Sequence, residues 1–362
     1  MKNYTMTLTA VTPFHSGSGV KYSKKEYAIN QQSGTVTLFG MEKVMGWIVD
    51  QRRDCLADAF ETFMLSKRDN DILAFLNRIG MPPQKQKECK AYSFRCGGAL
   101  RGEAKNRDLM PFVRDARGFP YVPGSSLKGA LCTVLLVKML LDGKFRGPAY
   151  IRDAKRDPKK FAETIETALL HTLRRTDRQE NALNSVMSGI SVSDSAPFDK
   201  SQITLAVKAD VCTDGGARPP IPLFRECAAP GTQIPLSLTL SDDAERIIGI
   251  DYIRKAIHEF GDYYLKNYLG KFPKPFTENL DDCIFLGGGC GYFSKNIVYP
   301  YFRGDVSAAV QTVSNIMACQ FPQHRHEKDN GLGISPRMLK CTDTDGRTRQ
   351  LGICRVEIEE KK

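Results

Sequence analysis

The sequence predicts an α+β fold, and three observations predict it. Runs with an apolar residue at every second position stand near the start, in the middle and at the end of the chain. Between them lie stretches with apolar residues three and four apart, the spacing of amphipathic helices. The strand-like runs cluster around Gly- and Pro-bearing turns and do not alternate one for one with helices. That favours antiparallel hairpins over regular βαβ winding.

The elements follow in order. Residues 4–12 alternate Met6, Leu8 and Ala10 with Thr5, Thr7 and Thr9, giving a strand with one buried face. Pro13-Phe14-His15-Ser16-Gly17-Ser18-Gly19 is a turn-rich loop, and Thr35–Phe39 reads as a second short strand. Residues 42–80 take helical spacing through Val44, Trp47 and Ile48, then Phe60, Phe63 and Met64, then Ile72, Phe75, Leu76 and Ile79; Met81-Pro82-Pro83 ends the block. Residues 84–108 are polar, basic and glycine-containing, and read as a loop that is mobile or ordered by a partner. Helices are expected at about 125–141 and 161–175. Beyond Gly189 the period returns to two, with Ile203, Leu205, Val207 and Ala209 on one face and Ile234, Leu236, Leu238 and Leu240 on another. A long amphipathic helix is expected over 243–269. A short apolar strand at Ile284-Phe285-Leu286 follows, and a last strand carries Cys354, Val356 and Ile358.

The chain has 362 residues, the length of two packed domains, and 41% of them are apolar against 26% charged. Disorder, collagen and coiled coil are excluded by that composition. The longest nearly apolar stretch, 130–141, is interrupted by Lys138 and is too short to span a bilayer. The N-terminal residues alternate rather than forming a signal-peptide core, so the expectation is a cytoplasmic protein with no membrane partner. Eleven cysteines occur with no Cys-x-x-Cys, which reads as reduced thiols without zinc. The nearest metal-like cluster, Cys319, His324, His326 and Glu327 around Pro322, reads as a polar loop. The excess of 52 Lys+Arg over 41 Asp+Glu, a net charge of +11, points to a polyanionic partner. The basic residues are spread out, compatible with one long contact track or with several solvated faces.

Two motifs carry chemistry. Tyr121-Val122-Pro123-Gly124-Ser125-Ser126-Leu127-Lys128-Gly129 opens a helix whose buried stripe is Leu127, Ala130, Leu131, Val134 and Leu135. Lys128 in the first turn opposes the helix dipole, and Gly129 inside the helix costs roughly 1 kcal/mol. Both are accounted for if Gly124, Ser125, Ser126 and Lys128 hold a phosphate and Gly129 lets a backbone approach; the bland alternative is an exposed lysine on a capped helix. The second motif, Gly287-Gly288-Gly289-Cys290-Gly291-Tyr292-Phe293-Ser294-Lys295, puts four glycines in five residues beside a stacking plane and a charge. It is either a nucleic-acid contact or a tight core turn. Neither Gly-x-x-x-x-Gly-Lys-[Ser/Thr] nor Gly-x-Gly-x-x-Gly occurs, so nucleotide hydrolysis and dinucleotide binding lack support.

The first strand with its Thr12-to-Gly19 loop, the Pro-Gly-Ser-Ser-Leu-Lys-Gly helix start and the late Gly-rich loop together resemble the RAMP superfamily of CRISPR RNA-binding proteins. Residues 331–342, with Ser335-Pro336-Arg337-Met338-Leu339-Lys340, look like the branch that caps the crRNA 3′ end in the type III-A effector complex. The 42–110 block is outside the resemblance. The resemblance implies two ferredoxin-like (RRM-like) domains. One spans 1–240 with a helical and basic insertion at about 42–115, and the other spans 241–362 and carries the Gly-rich loop. It also implies a non-catalytic, cofactor-free, crRNA-binding subunit that supports 3′ maturation. Its partners would be the repeated backbone subunit, the small subunit, trimming nucleases and nearby target RNA. The residues expected to meet RNA are His15, Ser16, Gly17, Ser18, Gly19 and Lys21 of the first loop, and Gly124, Ser125, Ser126, Lys128 and Gly129 at the helix start. With them go Gly287, Gly288, Gly289, Gly291, Tyr292, Ser294 and Lys295 of the late loop, and Arg337 and Lys340. The alternative is a metal-independent CRISPR-RNA endoribonuclease using His15. Acid–base catalysis needs a second group within reach, and no other histidine is near in sequence.

Overall fold

Alternation at the N-terminus places β1 (Lys2–Ala10) at the centre of a five-stranded sheet, with Tyr4, Met6, Leu8 and Ala10 buried. The computed structural model describes residues 1–96, 107–145, 157–216, 223–273, 278–344 and 347–361. Around β1 lie β6 (Ile190–Val192), β9 (Gln233–Leu240), β10 (Cys283–Phe285) and β13 (Ile353–Glu360), in the order β10-β13-β1-β9-β6. Every pairing is antiparallel. Two helices, α5 (Gly124–Leu141) and α8 (Gly249–Asn267), pack on each other and on the strands of this sheet.

By length and composition alone α5 could cross a membrane. In the fold it is a core helix, with Leu127, Leu131, Val134 and Leu135 buried. Its buried Lys138 is held by Asp142 and, at 3.1 Å, by Glu259 of α8.

The second sheet runs β12 (Arg347–Gln350), β11 (Met338–Thr344), β7 (Ile203–Cys212), β8 (Leu223–Ala228) and β5 (Asp108–Met110). Its β5–β8 pair is parallel and the others are antiparallel. Both sheets draw strands from both sides of residue 240, so a division there cuts the chain rather than separating the sheets.

A third, three-stranded sheet, β2 (Tyr27–Asn30), β3 (Thr35–Phe39) and β4 (Lys90–Arg95), carries α1 (Met41–Asp50), α2 (Asp54–Leu65), α3 (Ile72–Arg78) and α4 (Pro83–Glu88). This part has its own core of Val44, Ile48, Phe63, Ile72, Phe75 and Leu76, with the Phe63 and Phe75 rings stacked at 4.4 Å.

The structure corrects three expectations. Residues 83–95 are not a loop. Their polar faces are solvated, but β4 pairs with β3 and buries Phe94, with Cys96 buried just beyond. Residues 97–106 of that segment lie outside the described residues. The helix expected over 161–175 is α6 (Pro158–Leu170), which starts earlier because the Asp157 side chain accepts the Lys160 N–H. The helix over 243–269 is two, α7 (Asp242–Ile247) and α8, broken where Gly249 takes φ +70°. Beyond β10, α9 (Val298–Tyr301) and α10 (Val306–Gln320) lead to β11.

Candidate nucleic-acid interface

Two glycine loops far apart in sequence meet at His15, which is 3% exposed. Its Nδ1 lies 2.7 Å from the Glu226 carbonyl oxygen, so that nitrogen carries the proton and donates. The Gly288 N–H donates to the His15 carbonyl at 2.8 Å, and a Cβ on Gly287 would run into the same carbonyl. Gly287, Gly289 and Gly291 hold φ of +87°, +94° and +95°, so the glycine run meets both needs, close approach and left-handed backbone. Burial pulls the His15 imidazole down to about 4. It is therefore neutral near pH 7, and among the described residues its buried Nε2 has no hydrogen-bond partner. Such a ring holds the two loops together.

The rest of the first loop is laced to the segment before α5. The Val113 N–H donates to the carbonyl of buried Ser16 at 2.8 Å, and the Ser18 N–H donates to the Pro111 carbonyl at 3.4 Å. A Cβ on Gly17 would lie 2.8 Å from His15 Nε2, whereas Gly19 turns at φ +81° in open space. Lys21 pairs with Asp108 at 2.9 Å. Beneath the loop, the buried Glu226 carboxylate accepts from the Tyr92 hydroxyl at 2.7 Å and from the Phe112 N–H and Arg114 guanidinium, each at 2.9 Å.

The late loop covers a basic sheet face. Register sets Lys340 opposite Asp210, Thr342 opposite Lys208, and Arg225 opposite Ala206. Alternate residues share a face, so Lys208, Asp210, Arg225 and Lys340 stand together on β7, β8 and β11. A Cβ on Gly291 would sit 3.3 Å from Lys340 Cγ, and one on Gly289 would sit 3.7 Å from the Arg225 guanidinium carbon. Lys340 pairs with Asp210 at 2.7 Å. Among the described residues neither Lys208 nor Arg225 has an ion-pair partner, and Arg225 Nε and Nη1 are buried without a hydrogen bond. Burial, and then the Lys340 charge, pull the Lys208 ammonium below its ordinary value. Three cations against one carboxylate leave this face with an excess of two positive charges, the sign that attracts an anion. Lys295 donates to the Gly287 carbonyl at 2.7 Å and Ser294 to the Gly291 carbonyl at 3.0 Å, folding the loop back over this face.

Tyr292, Arg337 and Lys340 also line an open cleft of about 660 Å³ beside the loop. The Arg337 guanidinium is already engaged by the buried Asp329 carboxylate and by the carbonyls of Arg325 and His324. Asp329 also accepts from Ser335 at 2.8 Å and pairs with His326 at 2.8 Å, while Cys319 is exposed. Among the described residues, no three His, Cys, Asp or Glu side chains gather as a metal site.

The helix start is a separate place. Among the described residues no hydrogen bond joins 124–129 to 287–295. The Gly124 N–H donates to the Asp194 carboxylate at 2.8 Å, so the protein itself supplies one anion at this terminus. A Cβ on Gly124 would collide with the carbonyls of Val192 and Ser193. Gly124 is therefore needed for close packing on the end of β6. Gly129 is exposed with open space before it, and Lys128 is half-exposed beside it; Ser125 is exposed and Ser126 half-buried.

Lys208, Arg225 and Phe321 were not singled out from sequence. Lys208 interrupts the apolar 203–209 run and Asp210 follows it, but nothing local says that Arg225 and Lys340 stand beside them.

The family model described as RAMP superfamily matches residues 7–315. The CRISPR system Cms protein Csm5 of Streptococcus thermophilus is 29% identical over 309 residues, covering 82% of this chain and 80% of its own length. The proteins of that name from Mycobacterium tuberculosis (strain CDC 1551 / Oshkosh) and Enterococcus italicus are 26% and 23% identical, each alignment spanning 99% of this chain and 98% of theirs. Among solved structures, a chain of a Csm-crRNA-target RNA ternary complex in a type III-A CRISPR-Cas system superposes with a TM-score of 0.67 at 16% identity, covering 98% of this chain and 100% of that one. The crystal structure of T. onnurineus Csm5 superposes at 0.61 and 16% identity, over 96% and 99% of the two chains. These likenesses establish a shared fold, and with the family match running from β1 through α10, the chain belongs to the RAMP superfamily.

Proposed function

We propose that this protein is a non-catalytic crRNA-binding subunit of a type III-A CRISPR effector complex, capping the crRNA 3′ end and supporting its maturation in the cytoplasm. Its neighbours would be the repeated backbone and small subunits, with target RNA close by and trimming nucleases recruited rather than replaced. The observation that carries the reading is the Gly-rich loop laid over Lys208, Arg225 and Lys340, a basic face with two cations unpaired among the described residues. Likeness to Csm5 proteins over nearly the whole chain supports the complex. In the first sheet, β1, α5, β6, β9, α8 and the β10/β13 edge follow the βαββαβ order of a ferredoxin-like domain. We read the second sheet as the second such domain and the helices of α1–α4 as the insertion. His15 and Ser16 then act from beneath the loop, and Gly19, Lys128, Gly129 and Lys295 from the surface.

The test uses guide RNA labelled at its 3′ end, with chelator present. The protein is expected to retain the RNA intact and, in the reconstituted complex, to protect its 3′ end from hydroxyl radicals. Cleavage abolished by His15→Ala, or protection only at the 5′ end, would overturn the reading.

A further inference from the structure

We propose that the cleft between α10 and β11 takes one unpaired nucleotide of the bound RNA, with its base stacked inside and its phosphate on the Lys208 side. The inference rests on the RNA-binding reading above and adds a site to it. The floor is apolar, made by Met317, Pro336 and Met338. The walls carry aromatic faces. Phe321 is 47% exposed, and its ring lies within 9° of parallel to that of His324, with centroids 5.5 Å apart. Tyr292 stands on the wall nearest the Gly-rich loop. An exposed pair of stacked rings beside an apolar floor offers an outer ring face on which a nucleobase can continue the stack, as in single-strand binding sites. A volume of about 660 Å³ falls within the range of small-ligand sites.

Charge selects the occupant. Lys208, Lys340 and Arg337 line the same cleft; Lys340 is committed to Asp210, the one acidic residue of its lining, and Arg337 to Asp329 behind it, which leaves Lys208. Lys208 has no ion-pair partner among the described residues and stands on the sheet face that the Gly-rich loop covers. The cleft is therefore continuous with the proposed backbone track, and a nucleotide supplies both the apolar plane and the anion that the walls match. Gln320 at the rim can offer its amide to a base edge. An apolar peptide from a neighbouring subunit would fill the floor but leave Lys208 without a counter-charge.

The test uses the full chain and guide RNA carrying 4-thiouridine at its uridines. After irradiation, crosslinked peptides should map to residues around Tyr292 and 317–338. Phe321→Ala should weaken guide-RNA binding by roughly 5- to 100-fold, while Phe321→Trp, which keeps a stacking face, should restore it. The slope of log affinity against log salt should not change in Phe321→Ala, because no phosphate contact is removed. Crosslinks confined to other regions, or equal affinities in wild type and Phe321→Ala, would overturn the cleft proposal while leaving RNA binding intact. Loss of subunit association with unchanged RNA affinity would assign the cleft to a peptide and overturn it too. Wild-type protein that retains no guide RNA would instead overturn the RNA-binding reading on which the proposal rests.

Discussion

At the scale of single residues, His15 shows how a side chain suited to catalysis can serve as a structural pin. Its imidazole sits under one loop, against Phe112, with its carbonyl under the other loop. The cost of this burial appears at acid pH. The folded value of about 4 lies below the ordinary 6.5, so the fold favours the neutral ring. That contribution is fully present above pH 6.5 and is lost as pH falls through 6.5 toward 4. At full extent it amounts to about 3 kcal/mol. His15→Gln, which can keep a donor to Glu226 without titrating, should flatten that part of the stability profile. Denaturant midpoints of wild type and variant at about pH 7 and about pH 4.5 check this. Parallel loss in both proteins would show that other groups carry the acid sensitivity.

At the scale of elements, two glycines five residues apart in α5 make opposite predictions. Gly124→Ala drives a methyl group into the Val192 and Ser193 carbonyls, which as backbone cannot swing aside, and should cost about 1–3 kcal/mol. Gly129→Ala meets open space and should raise stability by up to about 1 kcal/mol. If the glycine is kept for a partner's approach, the same variant should weaken guide-RNA binding despite melting higher. Thermal melts alongside binding separate these effects, and a stabilised Gly129→Ala with wild-type affinity would make this position a plain helix glycine. Such pairs also mark how far local pattern reaches. The strand at 2–10, the helices of 41–78 and α5 were legible, because each declares its buried face within one contiguous run. The strands β5 and β6, three residues each, were not, since so short a run shows no period. In β4 the partners that bury Phe94 lie on β3, so polarity alone made the segment look like a loop. The Gly-rich loop and Lys340 stood out as candidates in the sequence, but Lys208 and Arg225 did not. Lys208, Arg225 and Lys340 share a face only through the pairing of β7, β8 and β11, and no local periodicity records that pairing.

At the scale of the whole molecule, the net charge of +11 is unevenly paired. Many of the surface cations are matched, as Lys21 is by Asp108 and Arg175 is by Asp243 at 3.0 Å, and matched pairs attract a polyanion weakly. The face under the Gly-rich loop is different, holding Lys208 and Arg225 partly out of water and, among the described residues, without such partners. A phosphate there would complete the ion pairs and release counterions from the RNA, which makes salt dependence the direct readout. The deciding measurement is guide-RNA affinity across a salt series for wild type and for Lys208→Ala/Arg225→Ala, with Lys128→Ala alongside. Each lost phosphate contact should lower the slope of log affinity against log salt by about 0.7, hence about 1.4 for the double variant and about 0.7 for Lys128→Ala. Equal affinities and equal slopes in wild type and the double variant would contradict the claim that the Gly-rich loop and its basic sheet face hold the RNA.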